Sequence, residues 1–288
     1  MRTEDPFVTH RSLLFTVAYE MLGSAADAED VLQESWLRWA DVDHAHVRDP
    51  RGYLVRTVTR QALNRLRTLS RSREDYVGEW LPEPLLTSPD VADDVELAES
   101  VSIAMLTVLE TLGPTERAVF VLREVFEMPY GEIAEAIGKS AVTVRQIGRR
   151  ARAHVAARRP RAQVSRAEQQ AVTERFLLAL RTGRLQELME VMAPNVVMIA
   201  DGGGIAAAAL TPLHGADLVS TVLARANQVT AFETTTVWLN GAPAGRFEIE
   251  GEPTAVSLVV EDGRITRIYL MRNPQKLTRL DEQAELAR

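Results

Sequence analysis

The chain has 288 residues, 46% of them hydrophobic and 25% charged, with a formal net charge of −7 at pH 7, which is ordinary for a globular protein of about two domains. Because it has no cysteine, disulfides, thiolate metal sites and a cysteine nucleophile are excluded. No apolar run approaches the roughly 20 residues that cross a bilayer, and residues 1–9 lack a signal pattern, so we expect a cytoplasmic protein without membrane contact.

Three helices are predicted in the first 69 residues. Apolar residues recur at helical spacing up to Gly23, a residue suited to end a helix. Ser24 is suited to cap a second helix over 25–39, and a third helix covers 52–69. We therefore assign residues 1–69 to an all-α domain.

Residues 70–96 have a different composition, with three prolines and a dense acidic end, and predict a linker. Within it, Trp80-Leu81-Pro82-Glu83-Pro84-Leu85 is too apolar for a free tether. Exposed Trp and Leu side chains usually dock on another surface, so we expect this segment to bind elsewhere in the protein.

A second all-α domain is predicted over 97–160. It starts with one helix over 97–112, breaks at Gly113-Pro114-Thr115, and continues with a helix over 116–126. Two short helices then flank Gly138, which predicts a helix-turn-helix in which Ser140 caps the second helix. The residues expected to pack inward are Ile133, Ala134, Ile137, Val144, Ile147 and Ala151.

The second helix of this motif lies in a basic segment. Residues 136–167 contain Lys139 and eight arginines and no carboxylate, which is the charge pattern of a phosphate-binding surface. A solvated basic helix in an ordinary helical hairpin is the alternative. The residues expected to face DNA are Lys139, Thr143, Arg145, Gln146, Arg149 and Arg150.

From residue 161 onward the pattern changes to helices followed by strands. Helices are predicted over 166–180, 185–192 and 215–227, and strands over 196–200, 232–239, 246–250, 254–260 and 264–271. Asn240-Gly241 and Asp262-Gly263 are strong hairpin signals. Residues 161–288 are therefore predicted to form an α+β domain.

Several stretches resemble the extracytoplasmic-function group of bacterial sigma-70 factors. Residues 27–39 (DAEDVLQESWLRW), 49–56 (DPRGYLVR) and 60–67 (RQALNRLR) resemble regions 2.2 to 2.4. Residues 112–126 (LGPTERAVFVLREVF) resemble region 4.1, and the helix-turn-helix resembles region 4.2. The resemblance implies a transcription initiation factor that binds core RNA polymerase, through its β and β′ subunits, and promoter DNA. It also implies that the exposed residues of the helix-turn-helix named above bind the −35 element.

The resemblance also implies roles for residues of the first domain. An acidic face would bind a coiled coil of the β′ subunit through Asp30, Gln33 and Glu34. The outer face of the third helix would meet the −10 element through Tyr53, Arg56, Thr59, Arg60, Gln61 and Asn64. Relatives commonly carry Asp in place of Asn64, so the role of that position is open. Trp36 and Trp39 are expected mainly in the core.

Three short motifs resemble the SigJ-like subgroup, in which a C-terminal SnoaL-like cone is a regulator. The implied interdomain residues are Trp80 to Leu85, then Asp201, Gly202, Gly203 and Gly204, and finally Asn273, Pro274, Lys276 and Leu277. Gln275 replaces the Asp of relatives. Three glycines allow close approach of a partner, and the proline-rich segment is preorganised. The hypothesis is that the cone holds the two helical domains at an unproductive spacing in the free protein.

The predicted fold is thus multidomain: two all-α domains (sigma region 2 at 1–69 and region 4 at 97–160) followed by an α+β SnoaL-like domain at 161–288. We expect no enzyme activity, cofactor or metal, and a monomer when free. Two alternatives stay open: a ligand-sensing helix-turn-helix regulator with a small-molecule ligand in the cone, and a cyclase or isomerase with a DNA-binding appendage. The catalytic candidates for the enzyme would be Asp201, His214 and Asp217, expected in loops or at a helix start.

Overall fold

The structure is a computed structural model, and it describes residues 5–73, 75–159, 164–229 and 233–288. These residues form two compact units, each built from separate stretches of chain. The first unit comprises Met1–Glu74, Met105–Arg159 and Glu285–Arg288, and the second comprises Asp75–Ala104 and Pro160–Ala284. In the described stretches, no helix is both long enough and apolar enough to cross a membrane.

The first unit opens with four helices: α1 (Pro6–Thr9), α2 (Arg11–Leu22), α3 (Ala25–Ala40) and α4 (Pro50–Arg73). Gly23 ends α2 with φ of 67°, and the Ser24 hydroxyl caps α3 by accepting a hydrogen bond from the Asp27 N–H at 3.2 Å. Both predicted end signals are confirmed. The third helix is longer than predicted at both ends: it runs on to Arg73, and it begins at Pro50, because a missing N–H costs nothing at the first position of a helix.

The next helices are α5 (Val95–Val101), α6 (Ile103–Leu109), α7 (Pro114–Phe120), α8 (Tyr130–Ile137) and α9 (Ala141–Ala156). The prediction of a single helix over 97–112 is wrong. The chain turns at Ser102, whose ψ of 145° is extended and whose hydroxyl donates to the Glu99 carbonyl instead of continuing the helix. The predicted helix over 116–126 begins two residues early and changes to a π-helical turn at Val121–Val125.

A buried arginine joins the two parts of the first unit. Arg117 on α7 is 1% exposed, and its Nε donates a hydrogen bond to the Glu20 carbonyl of α2 at 3.0 Å. The same guanidinium forms an ion pair with Glu110. Because a buried charge is costly unless it is paired and hydrogen-bonded, this contact holds α7 against α2.

The second unit contains α10 (Arg166–Thr182), α11 (Leu185–Val191) and α12 (Ala216–Val229), with a six-stranded sheet. The strands are β1 (Met192–Asp201), β2 (Leu213–His214), β3 (Thr235–Leu239), β4 (Ala242–Ile249), β5 (Glu252–Glu261) and β6 (Arg264–Met271). Their order is β2-β1-β6-β5-β4-β3, with β1 and β6 parallel and the other neighbours antiparallel.

The turns of the meander follow the sequence closely. Asn240 and Asp262 have φ of 53° and 50°, each followed by a glycine, so both predicted hairpins are confirmed. A third turn at Glu250-Gly251, also with positive φ, was not predicted. This turn separates β4 from β5. The predicted strand 246–250 corresponds to the end of β4, which starts earlier, at Ala242. The start of the predicted strand 232–239 lies partly outside the described residues.

Side chains alternate between two apolar faces of the sheet. One face packs against α10, α11 and α12 through residues such as Phe176, Leu223 and Ile268. The opposite face is covered by Leu81, Ile103, Leu277 and Leu280, which lie on Tyr269 and Met271 among others. Residues 75–104 are therefore a folded layer of this unit. The layer includes α5, which the sequence predicts to be part of the second helical domain.

Candidate nucleic-acid interface and the linker site

The recognition helix of the predicted helix-turn-helix is α9. Val144, Ile147 and Ala151 are buried, as predicted, and Ser140 Oγ caps the helix by accepting from the Thr143 N–H at 3.2 Å. The turn uses Gly138 with φ of 67°. The candidate −35 residues are all exposed: Lys139, Thr143, Arg145, Gln146, Arg149 and Arg150. Their DNA contacts remain a prediction.

Tyr130, the first residue of α8, fixes the orientation of α9. Its hydroxyl accepts a hydrogen bond from Arg152 at 3.1 Å, and Arg152 also pairs with Glu124 at 3.0 Å. The guanidinium of Arg123 lies 5.0 Å from the centre of the Tyr130 ring. The Tyr130 ring lies against α9 at Gly148, where an added Cβ would be in van der Waals contact with it at 3.4 Å. Sequence reasoning missed this tyrosine.

The outer face of α4 carries a shallow crevice of about 350 Å³. Its lining includes Arg38, Tyr53, Thr57, Arg60, Gln61 and Asn64. Arg56 is half-buried on the same helix. The placement of Thr59 on this face is wrong: it is 0% exposed, because it shares the buried stripe of Val55, Ala62 and Leu66 at helical spacing.

Arg60 has partners inside the protein. Its Nε donates to the Ala136 carbonyl at 3.0 Å, and its Nη2 donates to the Glu135 carbonyl at 2.9 Å. Both carbonyls belong to the last turn of α8, where a helix leaves carbonyls without partners and carries a partial negative charge. The guanidinium of Arg60, which the sequence predicts to face DNA, is therefore hydrogen-bonded to α8 in this structure.

The acidic face on α3 is exposed at Asp30, Gln33 and Glu34, as the sequence suggested. Arg65 of α4 pairs with Asp27 at 2.6 Å and with Asp30 at 3.3 Å, so part of this charge is neutralised. Of the two tryptophans, Trp39 is in the core at 2% exposure, whereas Trp36 is 45% exposed beside the acidic face.

In the second unit, the carboxylate of Asp201 holds residues 76–81. Asp201 is the last residue of β1 and is 0% exposed, so its predicted position in a loop is wrong. Its oxygens accept hydrogen bonds from the Tyr76 hydroxyl at 2.6 Å, the Leu81 N–H at 2.8 Å and Lys276 Nζ at 2.6 Å. Burial and the bond to Asp201 raise the pKa of Tyr76.

Lys276 completes this cluster. Its Nζ also donates to the Leu81 carbonyl at 2.6 Å and lies 4.0 Å from the centre of the Trp80 ring, a cation–π distance. The Asn273 amide donates to the Tyr76 hydroxyl at 2.8 Å. The five residues Leu81, Pro82, Glu83, Pro84 and Leu85 are buried, so the expectation that this segment docks is confirmed as a contact within the second unit.

The glycines after Asp201 allow this packing. Gly203 and Gly204 have φ of 60° and 71°. A Cβ on Gly203 would stand 2.2 Å from the Asn273 amide nitrogen, and one on Gly204 would stand 3.1 Å from Val77. A Cβ on Gly202 would stand 2.1 Å from the Ala206 carbonyl oxygen. Pro274 opens a short 3-10 helix over Pro274–Lys276, and Leu277 is buried on the sheet.

Asn240 also binds the linker segment, although the sequence predicts for it only a hairpin turn. Its Oδ1 accepts from the Leu85 N–H at 2.9 Å, and its Nδ2 donates to the Val101 carbonyl at 2.8 Å. The Asn240 N–H donates back to the Leu85 carbonyl at 2.9 Å. One hairpin residue thus bonds both the linker and the end of α5.

Two known protein families match the helical regions of the chain. Residues 7–72 match the family Sigma-70 region 2, and residues 102–155 match Sigma-70, region 4. The ECF RNA polymerase sigma factor SigJ of Mycobacterium tuberculosis is 34% identical, over 94% of this chain and 92% of its own. The chain belongs to the extracytoplasmic-function (ECF) sigma factor family.

Other similarities agree with this ECF sigma factor assignment. The probable ECF sigma factor SigI of M. tuberculosis is 34% identical, over 96% of this chain and 94% of its own. The crystal structure of M. tuberculosis SigJ superposes with a TM-score of 0.78 at 32% identity, covering 94% of this chain and 97% of that chain. This chain and SigJ therefore share the same order of domains along the sequence, helical regions followed by an α+β SnoaL-like domain. Helices α8 and α9 are the helix-turn-helix of region 4.

Proposed function

We propose that this ECF sigma factor binds core RNA polymerase, directs it to promoters with −10 and −35 elements, and is modulated by its C-terminal domain. The observation that carries the proposal is the exposed basic face of α9 within a region 4 helix-turn-helix, joined in one chain to a region 2. A regulator that only sensed a ligand would need no region 2.

For the −35 element, α9 supplies the reading face. A recognition helix meets base edges with its N-terminal half, where Thr143 and Gln146 are exposed, and Arg149 lies just beyond that half and is also exposed. Glutamine pairs with adenine edges, and arginine pairs with guanine edges or phosphates. Because the network around Tyr130 holds α9 from behind, these side chains are presented on a rigid support.

For the −10 element, the crevice on α4 supports binding of an unpaired base. Tyr53 provides a ring for stacking, while Gln61 and Asn64 provide amides that can bond to a base edge. Asn64 keeps hydrogen-bonding groups where relatives commonly carry a carboxylate. Its neutral amide suits contact with DNA, since it does not repel phosphate.

For the polymerase, the exposed carboxylates of Asp30 and Glu34 suit a basic surface of the β′ subunit. The half-exposed ring of Trp36 lies on the same helix and would add apolar contact area.

The C-terminal domain acts as a regulator and not as an enzyme in this proposal. A general base needs a lone pair that substrate can reach. The Asp201 oxygens are instead buried and bonded to three donors of the protein itself. His214 lies on the two-residue strand β2 and Asp217 in the first turn of α12, both exposed, so neither sits in a closed pocket with a partner carboxylate.

Run-off transcription tests the central proposal. Core RNA polymerase is combined with the full-length protein and promoters that differ only in intact or scrambled −10 and −35 elements. We expect transcripts only from promoters with both elements. Transcription that ignores these elements, or no binding to core polymerase, would overturn the proposal.

A matched pair of variants tests the polymerase contact. Glu34→Lys and Glu174→Lys both change the net charge from −7 to −5, but only Glu34 lies on the acidic face. We expect Glu34→Lys to weaken binding to core polymerase by roughly tenfold, because it places a cation against a basic surface. Glu174→Lys should bind as the parent protein does, and equal binding by both variants would argue against this surface.

A further inference from the structure

Two buried polar side chains face each other at one end of the sheet in the second unit. Ala255 of β5 pairs with Met271 of β6 in antiparallel register, so Thr254, which precedes the first, lies opposite Arg272, which follows the second. Thr254 is 0% exposed and Arg272 is 7% exposed. Neither residue takes part in the contacts that hold the linker, so their burial needs another explanation.

Both side chains belong to the face of the sheet that packs against α10, α11 and α12. Successive side chains of a strand point to opposite faces, and Val256 and Leu270, each two positions away, lie in the core between the sheet and these helices. Phe247 of β4 pairs directly with Thr254 and lies in the same core. Thr254 and Arg272 are therefore polar groups among apolar neighbours.

The guanidinium of Arg272 has one hydrogen bond to the described part of the chain. Its Nη1 donates to the Ala207 carbonyl, in the loop after β1, whereas its Nε is buried without a partner. It forms no ion pair with any described residue. Burial lowers the pKa of Arg272, and the more distant carboxylates of Glu250 and Glu252 raise it. Because a buried charge is unfavourable unless it is paired, this cation calls for an anion.

The hydroxyl of Thr254 is the second buried group of this pair that lacks a bond. Its Oγ1 has no hydrogen-bond partner among the described residues. The Nε and Nη2 atoms of Arg272 are also free, and this edge of a guanidinium presents two parallel donors that match the two oxygens of a carboxylate. One cation balances one negative charge, and Phe247 and Leu270 suit an apolar body attached to it.

We propose that Arg272 and Thr254 form a binding site for a monocarboxylate with a small apolar body, on the helix-packed face of the sheet. The backbone relates this site to the linker, because the Arg272 N–H donates to the Asp201 carbonyl at 2.7 Å and the next residue, Asn273, bonds Tyr76. A bound carboxylate is thus one residue away from the contacts that hold the linker on the opposite face. The site goes beyond the proposed function, and its binding needs neither polymerase nor DNA.

Calorimetric titration of the full-length protein with benzoate tests the site. We expect benzoate to bind and benzamide, which has the same shape without the charge, not to bind. Thr254→Val keeps the side-chain volume and should weaken benzoate binding about tenfold, and Arg272→Met should weaken it further, because each removes a hydrogen bond to a charged group. Arg225→Met, which removes an exposed arginine of α12, should leave the Kd unchanged.

Three results of this titration would overturn the proposal. Equal binding of benzoate and benzamide would show that the charge is not recognised. An unchanged Kd for benzoate in Arg272→Met would place binding elsewhere. Tighter binding of inorganic phosphate than of benzoate would rule out a site for carboxylates.

Urea unfolding without benzoate gives a second, independent measurement. Lys276 is a cation paired with Asp201, so Lys276→Met should lower the unfolding midpoint. Arg272 has no such partner, so Arg272→Met should leave the midpoint unchanged or raise it, because it removes an unpaired buried charge. This outcome would also show that the variant folds. A midpoint lowered as far as in Lys276→Met would mean that Arg272 is already compensated within the protein, and would contradict the proposal.

Discussion

The Leu81 N–H donates a hydrogen bond to Asp201 Oδ2 at 2.8 Å, across 120 residues of sequence. Lys276 binds both members of this pair, the carboxylate through an ion pair and the Leu81 carbonyl through a second hydrogen bond. The proline-rich segment around Leu81, which the sequence predicts to be a linker, is thereby fixed to the end of β1. The cluster of Tyr76, Leu81, Asp201, Asn273 and Lys276 is called the Asp201 cluster below.

Asp201→Ala should destabilise the second unit by about 3–5 kcal/mol, because removing one member of a buried ion pair leaves the other charge without compensation. Asp217→Ala, which removes an exposed carboxylate from the same unit, should cost less than about 1 kcal/mol. Urea titration of both full-length variants measures the difference. The role given to the Asp201 cluster would be wrong if the two midpoints agreed.

The same variant tests regulation better than truncation does. Removing the C-terminal domain would strip the cover from Leu81 and Ile103, which are buried against the sheet, and would create new apolar surface. Point variants in the full chain avoid this. We expect run-off transcription to change with Asp201→Ala and to stay unchanged with Asp217→Ala.

Asn240→Ala should release Leu85 and the end of α5. The variant loses two side-chain hydrogen bonds and leaves their buried partners unsatisfied, so we expect a cost of about 2–4 kcal/mol. Asp262→Ala is a matched control, because Asp262 has nearly the same positive φ and also precedes a glycine, but bonds no part of the linker. Amide hydrogen exchange over residues 85–101 should rise only in Asn240→Ala; a rise in both would trace the effect to backbone strain.

Gly203→Ala tests the close approach of the glycine motif to Asn273. Alanine at positive φ costs about 1–2 kcal/mol wherever it occurs. At Gly203 the new methyl group would also displace a buried amide that bonds Tyr76, which adds about 1–3 kcal/mol. Gly251→Ala has the same backbone penalty with nothing within 4 Å of the added carbon. Thermal unfolding should show the larger loss for Gly203→Ala, and equal losses would contradict the contact.

Gln146→Ala and Arg149→Ala should weaken promoter binding in different ways. We expect Gln146 to read a base, so its loss should cost about 1–3 kcal/mol at one base pair of the −35 element and relax specificity there. We expect Arg149 to hold a phosphate, so its loss should weaken binding to all sequences and lower the salt dependence by about 0.9 in log–log slope. Binding of the holoenzyme to a set of −35 variants at several salt concentrations distinguishes them; a reversed pattern would exchange the roles.

The helix-turn-helix and two of the hairpin turns could be predicted because their signals are local, whereas the turn at Glu250-Gly251 was not predicted. Gly138, Ser140, Asn240 and Asp262 each act on neighbours within a few positions. The break at Ser102 could not be predicted in this way. No proline or glycine marks it, and the contacts on both sides of the turn come from residues far along the chain: Asn240 bonds the Val101 carbonyl, and Ile103 packs on the sheet.

The partners of the site residues were harder to predict than their positions. Helical spacing finds which side of α4 faces outward, and a closer count of the stripe from Val55 to Leu66 would have placed Thr59 inside. It does not reveal that Arg60 meets α8, because that contact spans 76 residues. For the same reason Asn240 reads as a turn and Asp201 as a loop, although both bond a segment more than 100 residues earlier.

The discontinuous build of the two units has a consequence for synthesis of the chain. Residues 75–104 leave the ribosome before any strand of the sheet that covers them, and Lys276 follows Ala104 by about 170 residues. At about 5–20 residues per second, the roughly 117 residues from Arg159 to Lys276 take about 6–23 s, during which both sigma regions are made and the Asp201 cluster is incomplete. We expect protease to cut stalled nascent chains between residues 80 and 90 during this interval, and not after release. Polymerase that meets the chain on the ribosome would therefore meet it before its regulator exists.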